Sequence, residues 1–358
     1  MHAIVANGFA EGPAEALRDY LVARSANVVT VFHPLTPEHG SRHVLTHYRD
    51  GAPVERREID LRLRPPASYA LDALVPLLPP RIDTWFGFNP LAASRGLFLR
   101  RLRRVGKVVL WSVDFVPDRF GPGTLATRIY DRLDRRACMH ADARVELSEA
   151  ARDARNRRHG IDVAAHVVPM GAWVARVPQA SFGERRVVFL GHLVERQGVD
   201  LLLDAMRLLP DVRADVIGGG PLEKTLRQQA GDNVRFHGFV PDHRDVERLL
   251  AGAALAIAPY RPGSFTRYAD PGKLKAYLAA GLPIVVTGVP PNVQELARDA
   301  GAELVPFDAE ALAQAIEAGL ADQSGWTERH AAAVAYVSRF DWEVLLAGLV
   351  QKLELPLP

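Results

Sequence analysis

The stretch of sequence that decides the fold reads Ser264-Phe-Thr-Arg-Tyr-Ala-Asp-Pro-Gly-Lys-Leu-Lys-Ala-Tyr-Leu-Ala-Ala-Gly-Leu-Pro-Ile-Val-Val286. Its pattern predicts a loop, then a helix over 272–280 with Gly281 just past its end, then a buried strand. The first turn of a helix has free N–H groups and the positive end of the helix dipole, which together attract phosphate groups. Lys273 adds a formal charge at that turn, so this helix start is a candidate anion site.

Asp270 precedes the same helix and has two interpretations. Its carboxylate can cap the helix, or it can accept hydrogen bonds from ribose or sugar hydroxyls. The alternative for the whole Asp270-Pro-Gly-Lys273 run is structural, with Asp270 as the helix cap and Lys273 as an ordinary surface lysine. The four residues alone do not distinguish the ligand-binding interpretation from the structural one.

Strand and helix patterns alternate on both sides of this stretch, which predicts parallel sheets covered by helices on both faces. In the second half we predict strands at 187–190, 214–217, 234–236, 255–258, 284–287 and 303–305, with helices at 199–209, 221–230, 244–251, 272–280, 291–299 and 309–320. In the first half we predict strands at 3–6, 28–32, 84–88, 108–113, 143–147 and 167–168, with helices from Pro13 and at about 91–104, 123–140 and 149–158. The proline-punctuated residues 34–80 give no clear pattern.

A chain of 358 residues exceeds what one core normally supports. We therefore predict an α/β fold with two Rossmann-like domains facing across a cleft. The expected boundaries are 1–170 for the first domain, 171–183 for a linker, 184–325 for the second domain, and 326–358 for a C-terminal helix that crosses back to the first. Ligands of such folds bind beyond the carboxyl ends of the strands.

Composition narrows the function classes. No apolar run reaches the roughly 20 residues that span a bilayer, and the N-terminus reads as a first strand rather than a signal peptide. Cys138 is the single cysteine, so a reducing, cytoplasmic location is expected and an intrachain disulfide is excluded. The scattered histidines and lone cysteine predict no metal site.

Charge is divided unevenly between the two halves. Residues 1–180 carry a net charge of +7 and residues 181–358 a net charge of −5. Basic clusters lie around 95–107 and 152–158 in the first half. They could bind an anionic acceptor or an anionic membrane surface, and a solvated helix face explains them equally well. Nucleic acid is not expected as a partner, because no aromatic residues or known module accompany the charge.

Several motifs of the second half occur in a fixed order over about 120 residues. They are Phe189-Leu-Gly-His-Leu193, Gln197-Gly-Val-Asp200, Val216-Ile-Gly-Gly-Gly-Pro221, Phe236-His-Gly-Phe-Val240, Ala258-Pro-Tyr260 and Tyr277-Leu-Ala-Ala-Gly-Leu-Pro-Ile-Val-Val286. In this order they resemble the donor domain of the retaining GT-B glycosyltransferases of family 4 (glycosyl transferases group 1), in a branch with an Asp-Pro-Gly-Lys loop. Trp111–Phe120, Tyr130–Asp134 and Ala141–Ser148 resemble acceptor-domain segments of the same enzymes.

The resemblance implies transfer of a sugar from a nucleotide-diphosphate donor to a hydroxyl acceptor on a glycan, lipid or secondary metabolite, with retention and without metal or cofactor. With it, Lys273 and Asp270 become catalytic candidates for the phosphate and sugar contacts, and Asp114 is a third candidate because it follows the buried strand 108–113 at its carboxyl end. The resemblance also implies donor binding by Gly12, Gly191, His192, Gln197, Gly219, Gly220, Phe239, Val240, Tyr260, Pro271, Gly272 and Leu274. For Gly12 and Asp114 a simple turn role remains equally open.

This chain also departs from the family pattern. His192 and Gln197 stand where the family usually carries an arginine and a lysine, and Tyr268 and Ala276 stand near the places of its glutamate pair. These departures leave open a catalytically degenerate subunit that binds donor for a partner enzyme. A nucleotide-sugar epimerase on the same fold also remains open. A phosphorylase and a nicotinamide dehydrogenase are disfavoured, the latter because the early glycine fingerprint is missing.

Overall fold

The computed structural model describes residues 1–8, 12–35, 40–65, 67–70, 72 and 81–356. By its internal contacts the chain divides into two compact units. The first comprises Met1–Pro169 and Leu345–Pro358, and the second comprises Met170–Val344. Each unit is built around its own sheet.

The first unit contains eight strands within the described residues. They are β1 (His2–Asn7), β2 (Val28–His33), β3 (Arg42–Arg49), β4 (Ala52–Asp60), β5 (Ile82–Gly87), β6 (Val105–Ser112), β7 (Ala143–Glu146) and β8 (His166–Val167), in the spatial order β4-β3-β2-β1-β5-β6-β7-β8. The helices are α1 (Pro13–Ala23), α2 (Pro90–Arg101), α3 (Leu125–His140) and α4 (Glu149–His159). Six strands are parallel, while β3 and β4 extend the sheet as an antiparallel hairpin.

That hairpin lies within residues 34–80, where no clear pattern was found. Strand β4 carries mostly exposed, charged side chains and forms the sheet edge, so it lacks the apolar alternation that identifies a strand. The central strands β1, β5 and β6 are buried on both faces and read as apolar runs, as parallel strands do.

The second unit has a six-stranded parallel sheet. Its strands are β9 (Arg186–Leu190), β10 (Arg213–Ile217), β11 (Val234–Gly238), β12 (Leu255–Ala258), β13 (Ile284–Thr287) and β14 (Glu303–Val305), in the order β11-β10-β9-β12-β13-β14. The helices are α5 (Val199–Arg207), α6 (Glu223–Gln229), α7 (His243–Ala251), α8 (Gly272–Ala279), α9 (Val293–Ala300), α10 (Ala309–Ala321) and α11 (Gln323–Val337). A last helix, α12 (Trp342–Lys352), begins in this unit, and its residues from Leu345 onward belong to the first unit. Apolar residues from every strand form one core.

The C-terminal segment differs from the single crossing helix predicted over 326–358. It forms α11 and α12 with a break between them, and residues up to Val344 belong to the second unit. The break occurs because Asp341 starts a new helix: its Oδ1 accepts a hydrogen bond from the Glu343 amide at 2.8 Å. The backbone at 340–342 also pairs with Ala172.

The last residues are held within the first unit. The Lys107 ammonium donates to the Leu353 carbonyl at 2.8 Å, and the His2 ring lies 3.1 Å from the Pro356 carbonyl oxygen. Across the described residues, no helix has the length and apolar character that crossing a bilayer requires.

Candidate functional site

The sheet of the second unit reverses its strand order at β9. The chain runs from β9 outward to β10 and β11, and then returns to place β12 on the opposite side of β9. In open α/β sheets, ligands bind beyond the carboxyl ends of the strands at such a reversal. The loops that follow β9 and β12, together with the start of α8, therefore border the expected site.

Lys273 lies at this point of the sheet. Its ammonium nitrogen donates a hydrogen bond to Gln197 Oε1 at 2.6 Å. It also lies 4.1 Å from the centre of the Phe189 ring and 4.4 Å from the centre of the Tyr260 ring, which are cation–π distances. No carboxylate in the described part of the chain forms an ion pair with it. The protein thus holds this cation with aromatic rings and an amide, but without a counter-ion.

The electrostatics of Lys273 follow from that environment. Burial, and then the charge of Arg196, lower the pKa of Lys273 well below the usual lysine value. An anion beside the ammonium group would offset both effects, because an opposite charge favours the protonated form. The site is therefore poised for a negatively charged ligand.

Tyr277, in the last turn of α8, fixes this helix against the two central strands. Its hydroxyl accepts a hydrogen bond from the Leu190 amide at 2.7 Å and donates to the Ile257 carbonyl at 3.3 Å. One side chain of the helix thereby joins the ends of β9 and β12. Tyr277 therefore holds α8, the helix that carries Lys273, in place against the strand ends.

Glycines let the strand-end loops approach each other closely. An added Cβ at Gly198 would lie 1.8 Å from the Pro259 carbonyl oxygen, and one at Gly218 would lie 2.0 Å from that of Gly191. Both glycines also have positive φ, which side-chain-bearing residues rarely adopt. At Gly191, an added Cβ would lie 3.5 Å from the Lys273 ammonium nitrogen. Small residues therefore keep the backbone near that cation uncovered.

Asp270 does not cap α8, because the residue in the cap position is Pro271 and no side-chain cap is formed. The Asp270 carboxylate is instead buried. It pairs with the buried Lys275 ammonium at 2.8 Å and accepts hydrogen bonds from the Met170 amide at 2.8 Å and from Asn292 at 3.2 Å. Three donors occupy this carboxylate, so the structure gives it a framework role in the loop before Lys273.

The structure also contradicts the predicted donor-binding role of Leu274. Its side chain is fully buried in the core and its amide donates to the Pro271 carbonyl, so it offers nothing to a ligand. Pro271 and Gly272 are half-buried at the start of α8, and the first amides of a helix have no intrahelical acceptor. Tyr260 is buried and contributes its ring to the Lys273 environment, while Phe189, which was named above only as part of a motif and not as a site residue, contributes the other ring.

The remaining predicted donor residues lie at the carboxyl ends of β9, β10 and β11. His192 is exposed, and the Gly219 carbonyl accepts a hydrogen bond from the Leu193 amide at 2.9 Å. An added Cβ at Gly220 would lie 2.6 Å from His192 Cδ2. Phe239 is 73% exposed although it is a large aromatic residue, and Val240 is half-buried. The exposed ring is available for stacking, whereas the valine side chain packs against the core.

The two first-unit predictions have local partners. The Asp114 carboxylate forms an ion pair with Arg119 and is partly exposed just after β6. Gly12 precedes α1 with an extended backbone that any residue adopts, and the neighbouring Phe9–Glu11 lies outside the described residues. Among the described residues one cluster has metal-ligand chemistry, formed by His33, His43 and Asp72. The sequence analysis, which predicted no metal site, did not identify this cluster because its members are distant in sequence.

Comparisons with known proteins show what the second half of the chain is similar to. Residues 184–322 match the profile of the family described as Glycosyl transferases group 1. The chain is 31% identical over 226 residues to the phosphatidyl-myo-inositol mannosyltransferase of Mycolicibacterium smegmatis, covering 59% of this chain and 56% of that protein. It is 33% identical over 121 residues to a GDP-mannose-dependent alpha-(1-6)-phosphatidylinositol dimannoside mannosyltransferase of Mycobacterium tuberculosis, covering 32% of this chain and 30% of that protein. The chain thus spans about half the length, or less, of the relatives it matches.

Solved structures match over nearly the whole chain. Sucrose-phosphate synthase from Thermosynechococcus elongatus gives a TM-score of 0.75 at 18% identity, covering 99% of this chain and 98% of that one. The Anabaena protein Alr3699/HepE in complex with UDP gives 0.70 at 15% identity, covering 99% and 100%. The fold is therefore the GT-B glycosyltransferase fold, with two Rossmann-like units.

Proposed function

We propose that the protein is a glycosyltransferase that binds a nucleotide-diphosphate sugar at the carboxyl ends of β9 and β12. The observation that carries the proposal is the position of Lys273 at the strand-order reversal, where no described carboxylate pairs with its ammonium group. The family resemblance expects a lysine at position 197, which here is Gln197. The Lys273 nitrogen lies 2.6 Å from the Gln197 amide oxygen, so this chain supplies the same charge from the opposite loop.

The chemistry that this site suits is departure of a diphosphate. As the bond between the anomeric carbon and the diphosphate breaks, negative charge grows on the leaving oxygen. Lys273 and the free amides at the start of α8 would stabilise that charge without reorganising, which is commonly the largest single catalytic contribution. In line with the family resemblance, we propose retention at the anomeric carbon and no metal ion at the diphosphate.

The donor and acceptor are proposed from the relatives. GDP-mannose is the named donor of one relative, and UDP is bound in one of the similar structures. Phosphatidylinositol or its mannosides give two relatives their names. We propose a hexose donor and a lipid-linked or glycan hydroxyl acceptor. Asp114 remains our candidate for orienting the acceptor hydroxyl, and Gly12 remains a candidate for a backbone contact with the donor.

The donor test starts with binding. A panel of UDP, GDP, ADP and TDP is screened for thermal stabilisation, since a nucleotide that binds only the folded state raises the midpoint. Transfer is then measured with the sugar nucleotides of the nucleotide that stabilises. Lys273→Ala should lower kcat about 10²–10³-fold, while Lys224→Ala, an exposed lysine on α6, should leave it unchanged. Equal rates for the two variants would reject the phosphate role of Lys273, and nucleotide binding without transfer would favour the degenerate subunit.

We also propose peripheral association with an anionic membrane surface. Five large apolar side chains on or beside α2 and α3 are exposed, and arginines lie among them. The apolar residues are Phe98 at 60%, Leu102 at 54%, Leu125 at 71%, Ile129 at 48% and Met139 at 44% exposure. Apolar insertion combined with basic charge is the usual basis of such binding. Sedimentation with vesicles containing phosphatidylglycerol, against vesicles of phosphatidylcholine alone, tests it. Equal recovery in both supernatants would reject it.

A further inference from the structure

Three metal-ligand atoms meet at one end of the first unit's sheet. The Nδ1 atoms of His33 and His43 lie 2.8 Å apart. Asp72 Oδ1 lies 3.6 Å from the first nitrogen and 3.7 Å from the second. The register of the sheet produces this arrangement, because His33 ends β2 beside Asn7 of β1, and His43 lies next to the β3 residue that pairs with Phe32.

The three side chains are buried, and among the described residues two of them have a polar atom without a hydrogen-bond partner. His33 is 2% exposed, His43 0% and Asp72 3%. Within the described part of the chain, Asp72 Oδ1 has no hydrogen-bond donor and His43 Nε2 has no partner. A buried carboxylate oxygen without a donor costs free energy, so native proteins rarely leave one. The two imidazoles share one contact and leave this oxygen facing them.

A second layer of contacts orients the carboxylate. Asp72 Oδ2 accepts a hydrogen bond from Asn7 Nδ2 at 2.9 Å. The Asn7 amide oxygen in turn accepts one from Asn89 Nδ2 at 2.7 Å. Carboxylates and histidines that hold metals are characteristically fixed by such outer hydrogen bonds. Oδ2 is therefore held in place while Oδ1 points at the two histidines.

From this geometry we propose that His33, His43 and Asp72 bind a divalent transition metal of the zinc type. Zinc bonds of about 2.0–2.2 Å to nitrogen and oxygen place tetrahedral ligand atoms about 3.4 Å apart. The three observed separations, 2.8, 3.6 and 3.7 Å, lie around that value. Two imidazoles and one carboxylate form a ligand set common at zinc sites that keep an open fourth position.

A small cavity beside the cluster offers room for the fourth ligand. It has a volume of about 10 Å³ and is lined by His33, Asp72, Asn7 and Arg95, together with three apolar residues. A volume of this size suits about one water molecule. Arg95 adds a positive charge to that of the metal, so a hydroxide or another small anion is favoured over neutral water. The metal would join β2 and β3 to the chain at Asp72, stabilising this end of the first unit.

Cobalt binding tests the site directly. The full-length chain, without an affinity tag, is treated with chelator, desalted and titrated with Co²⁺, whose visible absorption reports tetrahedral coordination. We expect one equivalent to bind, to be displaced by Zn²⁺, and to raise the thermal midpoint reversibly with chelator. The readout needs no sugar transfer, so it stands apart from the proposed function.

Conservative variants locate the ligands. Asp72→Asn keeps the shape of the side chain and should weaken Co²⁺ affinity at least about tenfold, and Asn7→Ala should weaken it roughly 10–100-fold. The matched control is His47→Gln, which removes a half-buried histidine from the same strand β3 and should leave the affinity unchanged. Wild-type protein that shows no tetrahedral Co²⁺ spectrum would overturn the proposal. Equal loss in Asp72→Asn and His47→Gln would also overturn it.

Discussion

Replacing Lys273 with methionine should stabilise the protein while removing its activity. Methionine retains most of the length of the lysine side chain but carries no charge. The change therefore removes a partly desolvated ammonium group, whose lowered pKa shows that its surroundings disfavour the charged form. The methionine side chain still fills the space beside the Phe189 and Tyr260 rings.

The size of the effect follows from the contacts. The variant loses the hydrogen bond to Gln197 and two cation–π contacts. A thioether beside two aromatic rings recovers about 0.3–1.5 kcal/mol per contact, and the half-buried Gln197 amide can turn to water. Single stabilising substitutions of other kinds commonly yield about 0.5–2 kcal/mol, and their usual cost is function where a site is destabilised for activity. We expect a gain in this range, worth roughly 2–4 °C per kcal/mol for a unit of this size.

The gain should depend on pH in a defined direction. The folded-state pKa of Lys273 is lowered, so between that value and the unfolded value of about 10.4 the unfolded chain binds a proton that the folded chain does not. Wild-type stability therefore rises with pH across that window. The methionine variant lacks this contribution, so its advantage should be largest at neutral pH and shrink toward pH 10.

Urea unfolding of both proteins, with and without nucleotide, provides the measurement. Without nucleotide the variant should have the higher midpoint. With saturating diphosphate the order should reverse, because only wild type gains from binding. A variant that is less stable at neutral pH, or one that is stabilised by the diphosphate as strongly as wild type, would refute the view of Lys273 as a cation kept for an anion.

Three further predictions concern buried groups, two beside the site and one in the core of the first unit. Asp270→Asn should destabilise the second unit by about 3–5 kcal/mol, because it leaves the buried Lys275 ammonium without its counter-ion. Adding Lys275→Met should recover much of the lost stability in a double-mutant cycle measured by urea unfolding. Simple additivity of the two changes would contradict the pairing. Gly198→Ala should lower the thermal midpoint far more than Gly288→Ala, since an added Cβ meets the Pro259 carbonyl oxygen at the first position and nothing within 4 Å at the second; equal shifts would dispute the loop packing. Burial raises the pKa of the Cys138 thiol to about 12, so a disulfide reagent at pH 8 should react with it only after unfolding, and rapid reaction in the native protein would contradict its burial.

The sequence predicted most elements because parallel α/β sheets bury their central strands on both faces. Strands such as β12 and β13 are short apolar runs flanked by helices, and their predicted bounds are those observed. Elements that depend on partners distant in sequence were harder to predict. Strand β4 is charged and exposed, and it is a strand because β3 pairs with it. The helix break at Asp341 likewise depends on backbone pairing with Ala172.

The site was predictable in kind and less so in detail. A positive residue at a helix start after a buried strand indicates an anion site, and the structure places Lys273 at the strand-order reversal, while its role as an anion ligand stays a prediction. Which carboxylate is free to bind ligand depends on what lies beside it in space. Lys275, two positions beyond Lys273, points into the interior and takes Asp270 as its counter-ion, whereas Lys273 takes none. No spacing rule distinguishes these two lysines, because both follow the same proline and glycine.

The contrast between Lys273 and Lys275 bears on how this chain departs from the family pattern that its second half resembles. A cation at position 197 would come from the loop after β9, whereas here it comes from α8, and Gln197 remains as the hydrogen-bond acceptor that holds it. Two cations side by side would repel each other, so a lysine restored at position 197 should not add activity while Lys273 is present. It should restore activity to the Lys273→Met variant, because the diphosphate would again face one ammonium group at nearly the same point. The loop that supplies the charge can thus change while the charge itself stays at the reversal of the sheet.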